Sequence, residues 1–202
     1  MVGTPRPVTT VPSPRRPLDP SDQVRRWYEN ELGWPTVPGS PLGLRLGERF
    51  DVLDVPAEAG RAALRHLAPG SPVAMRGDRM RLLVAAGSAE ELPGVLAWLE
   101  WGGLALDLTV TGEGGVIEAP EPGGAGATDR RPSRGHAGTP QGAAVWLRPP
   151  EPGREVEASL PTLSALGGGG GAPDLVRLLD TVATQCHRLR LRRLCAQPLA
   201  FS

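Results

Sequence analysis

Alternating and helically spaced apolar residues mark a central block of the chain. Residues 50–55 (FDVLDV) alternate in the way that is typical of a strand, and residues 79–85 (RMRLLVA) form a second strand candidate. Residues 88–91 (SAEE) have the form of a capping box and precede four apolar residues at helical spacing. The pattern therefore predicts two strands followed by a helix in this block.

Helices are also predicted around these strands. Residues 21–32 place apolar side chains on one helical face, between a candidate N-cap at Ser21 and Gly33. Pro56 opens a helix that continues to Leu67, because proline is well suited to a first helical turn. Residues 73–75 (VAM) then form a short strand candidate.

The second half of the chain adds three strand candidates and one long helix. Residues 104–110 (LALDLTV) and 116–119 (VIEA) are predicted strands joined by a Gly-rich turn, and residues 143–148 (AAVWLR) are another. A helix over 174–195 has one apolar stripe, formed by Leu175, Leu178, Leu179, Val182, Cys186 and Leu189. The order of elements predicts an α/β (α+β) fold, with a mixed, partly antiparallel sheet flanked by helices and a C-terminal amphipathic helix.

Composition divides the chain into segments. Residues 1–20 are Pro-rich without periodicity and are predicted to be a disordered arm. One domain is predicted over 21–166, with a mobile Gly/Pro/Arg loop at 121–141. A Gly linker at 167–173 leads to the C-terminal amphipathic helix and tail at 174–202.

Charge and composition exclude several functional classes. The 22 basic and 22 acidic residues give zero net charge, so nucleic-acid binding would have to depend on a local patch. Every basic residue is Arg, which excludes Schiff-base and P-loop lysine chemistry. No run is long and apolar enough for a membrane span, so no membrane partner is expected. The two cysteines have no metal-ligand spacing, which favours reduced thiols and a cytoplasmic location.

Three segments carry the candidate chemistry. In residues 50–60 (FDVLDVPAEAG), an acid at the end of an apolar strand precedes a short loop and a helix. Metal-dependent nucleotidyl transferases place a Mg²⁺ ligand in this way. The other two segments are residues 77–84 (GDRMRLLV) and residues 103–120 (GLALDLTVTGEGGVIEAP).

Read together, these segments resemble the bifunctional primase–polymerase (prim-pol) domain of the archaeo-eukaryotic primase superfamily. Residues 103–120 are similar to that family's stretch of an acid, a G-x-GG turn and an A-P ending, and residues 50–60 to its hhhDhD strand. The opening Trp27-Tyr28 with residues 33–38 (GWPTVP) and the later residues 142–146 (GAAVW) match further motifs in the same order. The resemblance covers roughly residues 21–166 and depends on motif order.

The resemblance implies a two-metal nucleotidyl transferase site with Mg²⁺ or Mn²⁺. Asp54 matches the first acid of the strand pair and Asp107 the third acid, so these two would be the catalytic and metal-binding residues. The second acid falls on Pro56, which has no side-chain ligand. The family's phosphate-binding His falls within residues 79–81, where there is no His. The resemblance therefore implies a degenerate, catalytically inactive member.

Substitutes for the missing groups can be named. Arg79 or Arg81 could hold nucleotide phosphates, since guanidinium groups bind phosphate well, although their alternation with Met80 and Leu82 slightly favours a solvated strand face. Glu118 could supply a replacement metal-binding acid. Asp51 could also do so, but a three-residue spacing puts it on the opposite strand face from Asp54. Without the resemblance, Asp54 and Asp107 would be interpreted as strand-end acids.

The C-terminal helix ends in the one concentrated basic patch. Arg188, Arg190, Arg192 and Arg193 are candidate nucleic-acid ligands, and they would also complement the helix macrodipole. The favoured hypothesis is a non-catalytic prim-pol-like binding or regulatory module for DNA or a nucleotide. The alternatives are an active primase or polymerase with an altered metal site, and a scaffold for a protein partner.

Overall fold

The computed structural model describes residues 20–122, 142–163 and 173–195. Its α-helices in these ranges are α1 (Pro20–Arg26), α2 (Ala57–Ala63), α3 (Ser88–Trp98) and α4 (Leu175–Cys195). A π-helical turn (Trp27–Glu31) follows α1, and 3-10 turns lie at Leu64–His66 and Val156–Ser159. The structure does not describe residues 1–19 of the predicted arm, most of the 121–141 loop or most of the 167–173 linker. Pro20, predicted as the end of the arm, belongs to α1.

Five strands form the larger sheet. They are β3 (Phe50–Pro56), β4 (Val73–Arg76), β5 (Arg79–Ala85), β6 (Thr109–Thr111) and β8 (Val145–Arg148), in the spatial order β6-β3-β5-β4-β8. Every pairing between these strands is antiparallel. The central pair, β3 and β5, aligns Asp54 with Arg81 and Pro56 with Arg79. The predicted α+β class is confirmed, with an antiparallel sheet.

A second sheet contains three short strands: β1 (Thr36–Val37), β2 (Gly43–Arg45) and β7 (Val116–Glu118). The Gly-rich turn at 112–115 carries the chain from β6 in the larger sheet to β7 in this one. At Gly112 a side chain would not fit, since a Cβ atom would lie 2.6 Å from that of Ala89 and 3.2 Å from the Asp51 carboxylate. The turn therefore packs closely against β3 and the first turn of α3.

Two hydrophobic clusters occupy opposite faces of the larger sheet. On one face, Leu53, Val55, Leu82 and other buried side chains pack against helices α2, α3 and α4. On the other face, Phe50, Val52 and Leu83 pack in an aromatic cluster with Tyr28, Trp34 and residues of the small sheet. This division follows from the two-residue period of side chains along a strand.

The long helix α4 is part of the first cluster. Asp174 caps it, since its Oδ1 accepts hydrogen bonds from the backbone N–H groups of Val176 (2.9 Å) and Arg177 (3.3 Å). The predicted stripe of Leu175, Leu178, Leu179, Val182 and Cys186 is buried. The last turns are exposed, with Leu191 at 46% and Leu194 at 55%. The prediction of an amphipathic helix is confirmed.

Three local predictions are wrong. Residues 104–108 are not a strand, because side chains of α4 engage the backbone carbonyls there: Arg190 donates to Ala105 O and the Cys186 thiol to Asp107 O. Ser88 does not cap α3, which has Gly87 at its N-cap position and no side-chain cap bond there. Helix α1 begins at Pro20 instead of being capped by Ser21.

Candidate functional site

Asp54 lies on the aromatic-cluster face of β3, where that cluster ends. Its carboxylate accepts a hydrogen bond from Arg79 Nε at 2.5 Å and another from Arg81 Nε at 3.3 Å. Both arginines are on β5, which the antiparallel register brings beside it. The side chain of Asp54 is 23% exposed, so the pairs are only partly shielded from water. One acid is therefore held between two guanidinium groups.

Arg79 connects the two acids that the sequence singles out. Besides Asp54, it donates from Nη1 to Asp107 Oδ1 at 2.5 Å and from Nη2 to the Asp54 carbonyl oxygen at 3.0 Å. Partial burial acts to lower the pKa of Arg79, but the hydrogen bonds to Asp54 and Asp107 outweigh it and raise that pKa above its usual value. Arg79 therefore forms a salt bridge with each of the two aspartates and links them.

Arg81 joins the two sheets. It is 8% exposed, and its Nη1 donates to the Glu118 carbonyl oxygen on β7 at 3.3 Å. The Glu118 carboxylate lies 3.0 Å from Arg76 Nε and also accepts from the backbone N–H of Ala144 at 3.3 Å. The Glu118 carboxylate is therefore used by Arg76 and Ala144. Arg81, which pairs with Asp54, contacts only the backbone carbonyl of Glu118.

These contacts do not fit a divalent metal centre. A magnesium ion needs several free oxygen ligands in octahedral arrangement, whereas Asp54 and Asp107 both give oxygens to the same guanidinium group. Among the described residues, no group of three or more His, Cys, Asp or Glu is placed to hold a metal ion. The arrangement can neutralise charge and bind anions through arginine, but it presents no cluster of carboxylates to a cation.

Asp107 lies in the irregular segment before β6, not on a strand. Its Oδ2 is 3.4 Å from Arg193 Nη1, so the α4 helix and Arg79 approach the same carboxylate from two sides. Cys186 packs beside it; burial, and then the charge of Asp107, raise the pKa of this thiol to about 11. A cavity of about 330 Å³ lies here between α4 and residues 105–107.

The candidate nucleic-acid ligands on α4 have different surroundings. Arg190 Nη1 donates to Ala105 O at 2.7 Å, and Arg192 Nη1 donates to Glu58 Oε1 on α2 at 2.7 Å. Arg193 contacts Asp107, as described above. Arg188 is exposed and has no ion pair with a described residue. Three of the four arginines therefore hold the end of α4 against the protein.

Asp51 does not replace the missing metal ligand. It is fully buried on the opposite face of β3 from Asp54, as its spacing predicts. Its Oδ2 accepts the backbone N–H of Ala89 at 2.9 Å, in the first turn of α3. Burial raises the pKa of Asp51, opposed by its backbone hydrogen bonds and reinforced by Glu90. Asp51 is thus the remote cap of α3, a role that no local capping motif signals.

Arg76 is a further residue that sequence reasoning missed. It ends β4 next to the turn at residues 77–78, and its pairing with Glu118 links the two sheets at the surface. The sequence signals Arg76 only as a third arginine close to Arg79 and Arg81. The strand pattern alone does not place Arg76 beside β7.

No family model, no curated protein and no solved structure matches this chain. Among the described residues, no helix has the length and apolar character needed to cross a membrane.

Proposed function

We propose that this chain is a prim-pol-like protein without nucleotidyl transferase activity that binds nucleic acid through the arginines at the end of α4. The observation that carries the proposal is the arginine bridge between Asp54 and Asp107. These are the two positions where the resemblance implies metal ligands, and Arg79 takes one oxygen of each. With Pro56 at the position of the remaining acid, the chain lacks one of the three carboxylates that the resemblance implies for a two-metal site.

The binding part of the proposal is supported by local charge. Arg188, Arg190, Arg192 and Arg193 concentrate four cations on the last turns of α4 in a chain of zero net charge. Arginine forks bind phosphate oxygens well, and such contacts would give salt-sensitive, sequence-independent binding. Arg79 and Arg81 would reach a nucleotide's phosphates only after leaving Asp54, so nucleic acid is the favoured ligand over a free nucleotide.

A protein-interaction scaffold is a second candidate. Exposed apolar side chains favour it: Trp98 at the end of α3 is 73% exposed and Leu147 on the edge strand β8 is 54% exposed. Large exposed apolar side chains are enriched in protein interfaces. This candidate predicts a partner that binds with little dependence on salt.

Template-directed nucleotide incorporation, assayed with Mg²⁺ and with Mn²⁺, tests the absence of catalysis. No incorporation is expected from the wild-type protein with either metal. Incorporation that disappears in both Asp54→Asn and Asp107→Asn would show a working metal site and overturn the proposal.

Fluorescence anisotropy with labelled DNA over a salt series tests the binding. Replacing Arg188, Arg190, Arg192 and Arg193 by Gln should weaken binding and flatten the plot of log K against log salt by about 0.7–0.9 for each phosphate that is no longer bound. A control variant removes four other arginines: Arg26, Arg45, Arg65 and Arg154. Equal weakening in both variants, or no binding at low salt, would contradict the proposal, and the second result would leave the scaffold.

A further inference from the structure

The end of α4 is attached by a set of contacts that we call the terminal clamp. It comprises Arg190 on Ala105 O, Arg192 on Glu58 and Arg193 on Asp107. The groups that accept these bonds lie on α2 and on the irregular segment before β6. Three of the cations proposed to bind phosphate are therefore already occupied within the molecule.

The clamp is weak compared with the attachment of the rest of the helix. The side chains of Arg192 and Glu58 are 67% and 54% exposed, and those of Arg193 and Asp107 are 66% and 44% exposed. Ion pairs this exposed are individually weak and are screened by salt. The preceding turns, by contrast, are held by buried side chains such as Leu178, Leu179 and Val182. The last two turns can therefore exchange partners while the helix stays docked.

We propose that the terminal clamp is autoinhibitory: a polyanion and the acids of the clamp compete for the same arginines, so binding of nucleic acid releases the end of α4 from Glu58 and Asp107. This inference rests on the proposed function, because it takes nucleic acid as the competing ligand. Arg188, outside the clamp, makes the first contact, and the three clamped arginines follow.

Competition of this kind lowers the apparent affinity of the free protein. The ligand must replace two exposed ion pairs, each worth slightly more than about a factor of two, so removing the clamp acids should tighten binding about fivefold. Linkage also requires the reverse effect: saturation with the ligand must loosen the clamp by the same factor.

Anisotropy with a fluorescein-labelled single-stranded DNA at about 50 mM salt tests the competition. The variant Glu58→Gln/Asp107→Asn removes the clamp acids, and the control Glu91→Gln/Glu100→Gln makes the same change in net charge at exposed acids outside the clamp. About fivefold tighter binding by the clamp variant than by the control is expected. Equal affinities would overturn the autoinhibition alone, whereas no binding by either variant or the wild type would overturn the proposed function as well.

Hydrogen exchange of the same samples gives an independent readout. The amides of residues 188–195 should exchange faster in the clamp variant without DNA, and faster in the wild type when DNA is bound. The amides of residues 178–186 should stay protected in both cases, because their side chains remain buried. Slower exchange over 188–195 on adding DNA would mean that the ligand binds on top of an intact clamp, and would overturn the proposal.

Discussion

The two faces of β3 accommodate an aspartate in opposite ways. Asp51 lies on the face covered by helices, is fully buried, and gives an oxygen to the N-terminal turn of α3. Asp54 lies on the other face, at the end of the aromatic cluster, and is paired with two arginines of β5. The surroundings on each face, and not the residue type, therefore decide how a strand carboxylate is stabilised.

The carboxylates of Asp51 and Asp54 are stabilised by different interactions. Burial away from any cation raises the pKa of Asp51, and the backbone N–H groups that bond its carboxylate oppose that rise. The carboxylate of Asp54, near solvent between two guanidinium groups, depends on those partners remaining in place. Four predictions test whether the two faces differ as described.

The largest effect is expected where the aromatic cluster supports the face that carries Asp54. Trp34 is 2% exposed and its ring centroid lies 4.5 Å from that of Phe50. Trp34→Ala should lower the free energy of unfolding by about 4 kcal/mol, because it leaves a large cavity. Urea unfolding followed by circular dichroism measures it. The control Trp98→Ala, at a 73% exposed site, should change the value by less than about 0.5 kcal/mol, and similar losses in both would contradict the packing described.

The second-largest loss of stability is expected when Asp54, on the same face of the sheet, is replaced. Asp54→Ala leaves the nearly buried Arg81 without a carboxylate and should cost about 2 kcal/mol of unfolding free energy. Adding Arg81→Met should restore part of the stability, because the unpaired cation is then removed. Unfolding of the four members of this double-mutant cycle gives the coupling. A destabilisation no larger than that of the exposed Asp107→Ala would show that the pairing contributes little.

On the helix-covered face, Asp51 should make the stability of the fold depend on pH. Burial raises the pKa of Asp51, so the folded protein holds this proton more tightly than the unfolded chain. The group therefore stabilises the fold below the ordinary carboxyl pKa, and this stabilisation is lost as the pH rises through the raised value.

The variant Asp51→Asn isolates that effect. Relative to wild type, its free energy of unfolding should rise with pH across this window, since Asn carries no charge and still accepts the Ala89 hydrogen bond. Unfolding in urea at a series of pH values, with the exposed Glu91→Gln as control, makes the comparison. A difference that stays constant with pH would refute the assignment.

The smallest effect concerns the reactivity of the Cys186 thiol, which is buried between α4 and the rest of the protein. With its pKa raised to about 11, Cys186 holds only about one thiolate in a thousand at pH 8, and it is buried. A Cys195→Ser variant should therefore react slowly with a thiol reagent when folded and rapidly in urea. Rapid labelling of the folded variant would mean that α4 opens readily along its whole length.

Much of the fold follows from local patterns. The alternation of β3 and β5 and the apolar stripe of α4 were sufficient to predict these elements, because each buries one regular face. Strand β2 of the small sheet was not predicted, since it has only three residues and one of its two partners, β7, lies in a distant part of the chain.

The site depends on a register that no local pattern contains. Asp54, Arg79 and Asp107 are separated in sequence, and only the β3–β5 alignment and the course of the chain before β6 bring them together. The same limit applies to residues 104–108, whose alternation predicts a strand. In the structure, side chains of α4 donate hydrogen bonds to the carbonyls of Ala105 and Asp107 instead. Tertiary hydrogen bonds outweighed local preference at that segment.

The position of α4 in the chain has a consequence for biosynthesis. Its leucines complete the core against β3 and β5, yet they are translated long after those strands. A nascent chain that ends before residue 175 therefore carries an apolar sheet face that α2 and α3 cover only in part. Such a surface is a binding site for chaperones and a source of aggregation until the ribosome has delivered α4.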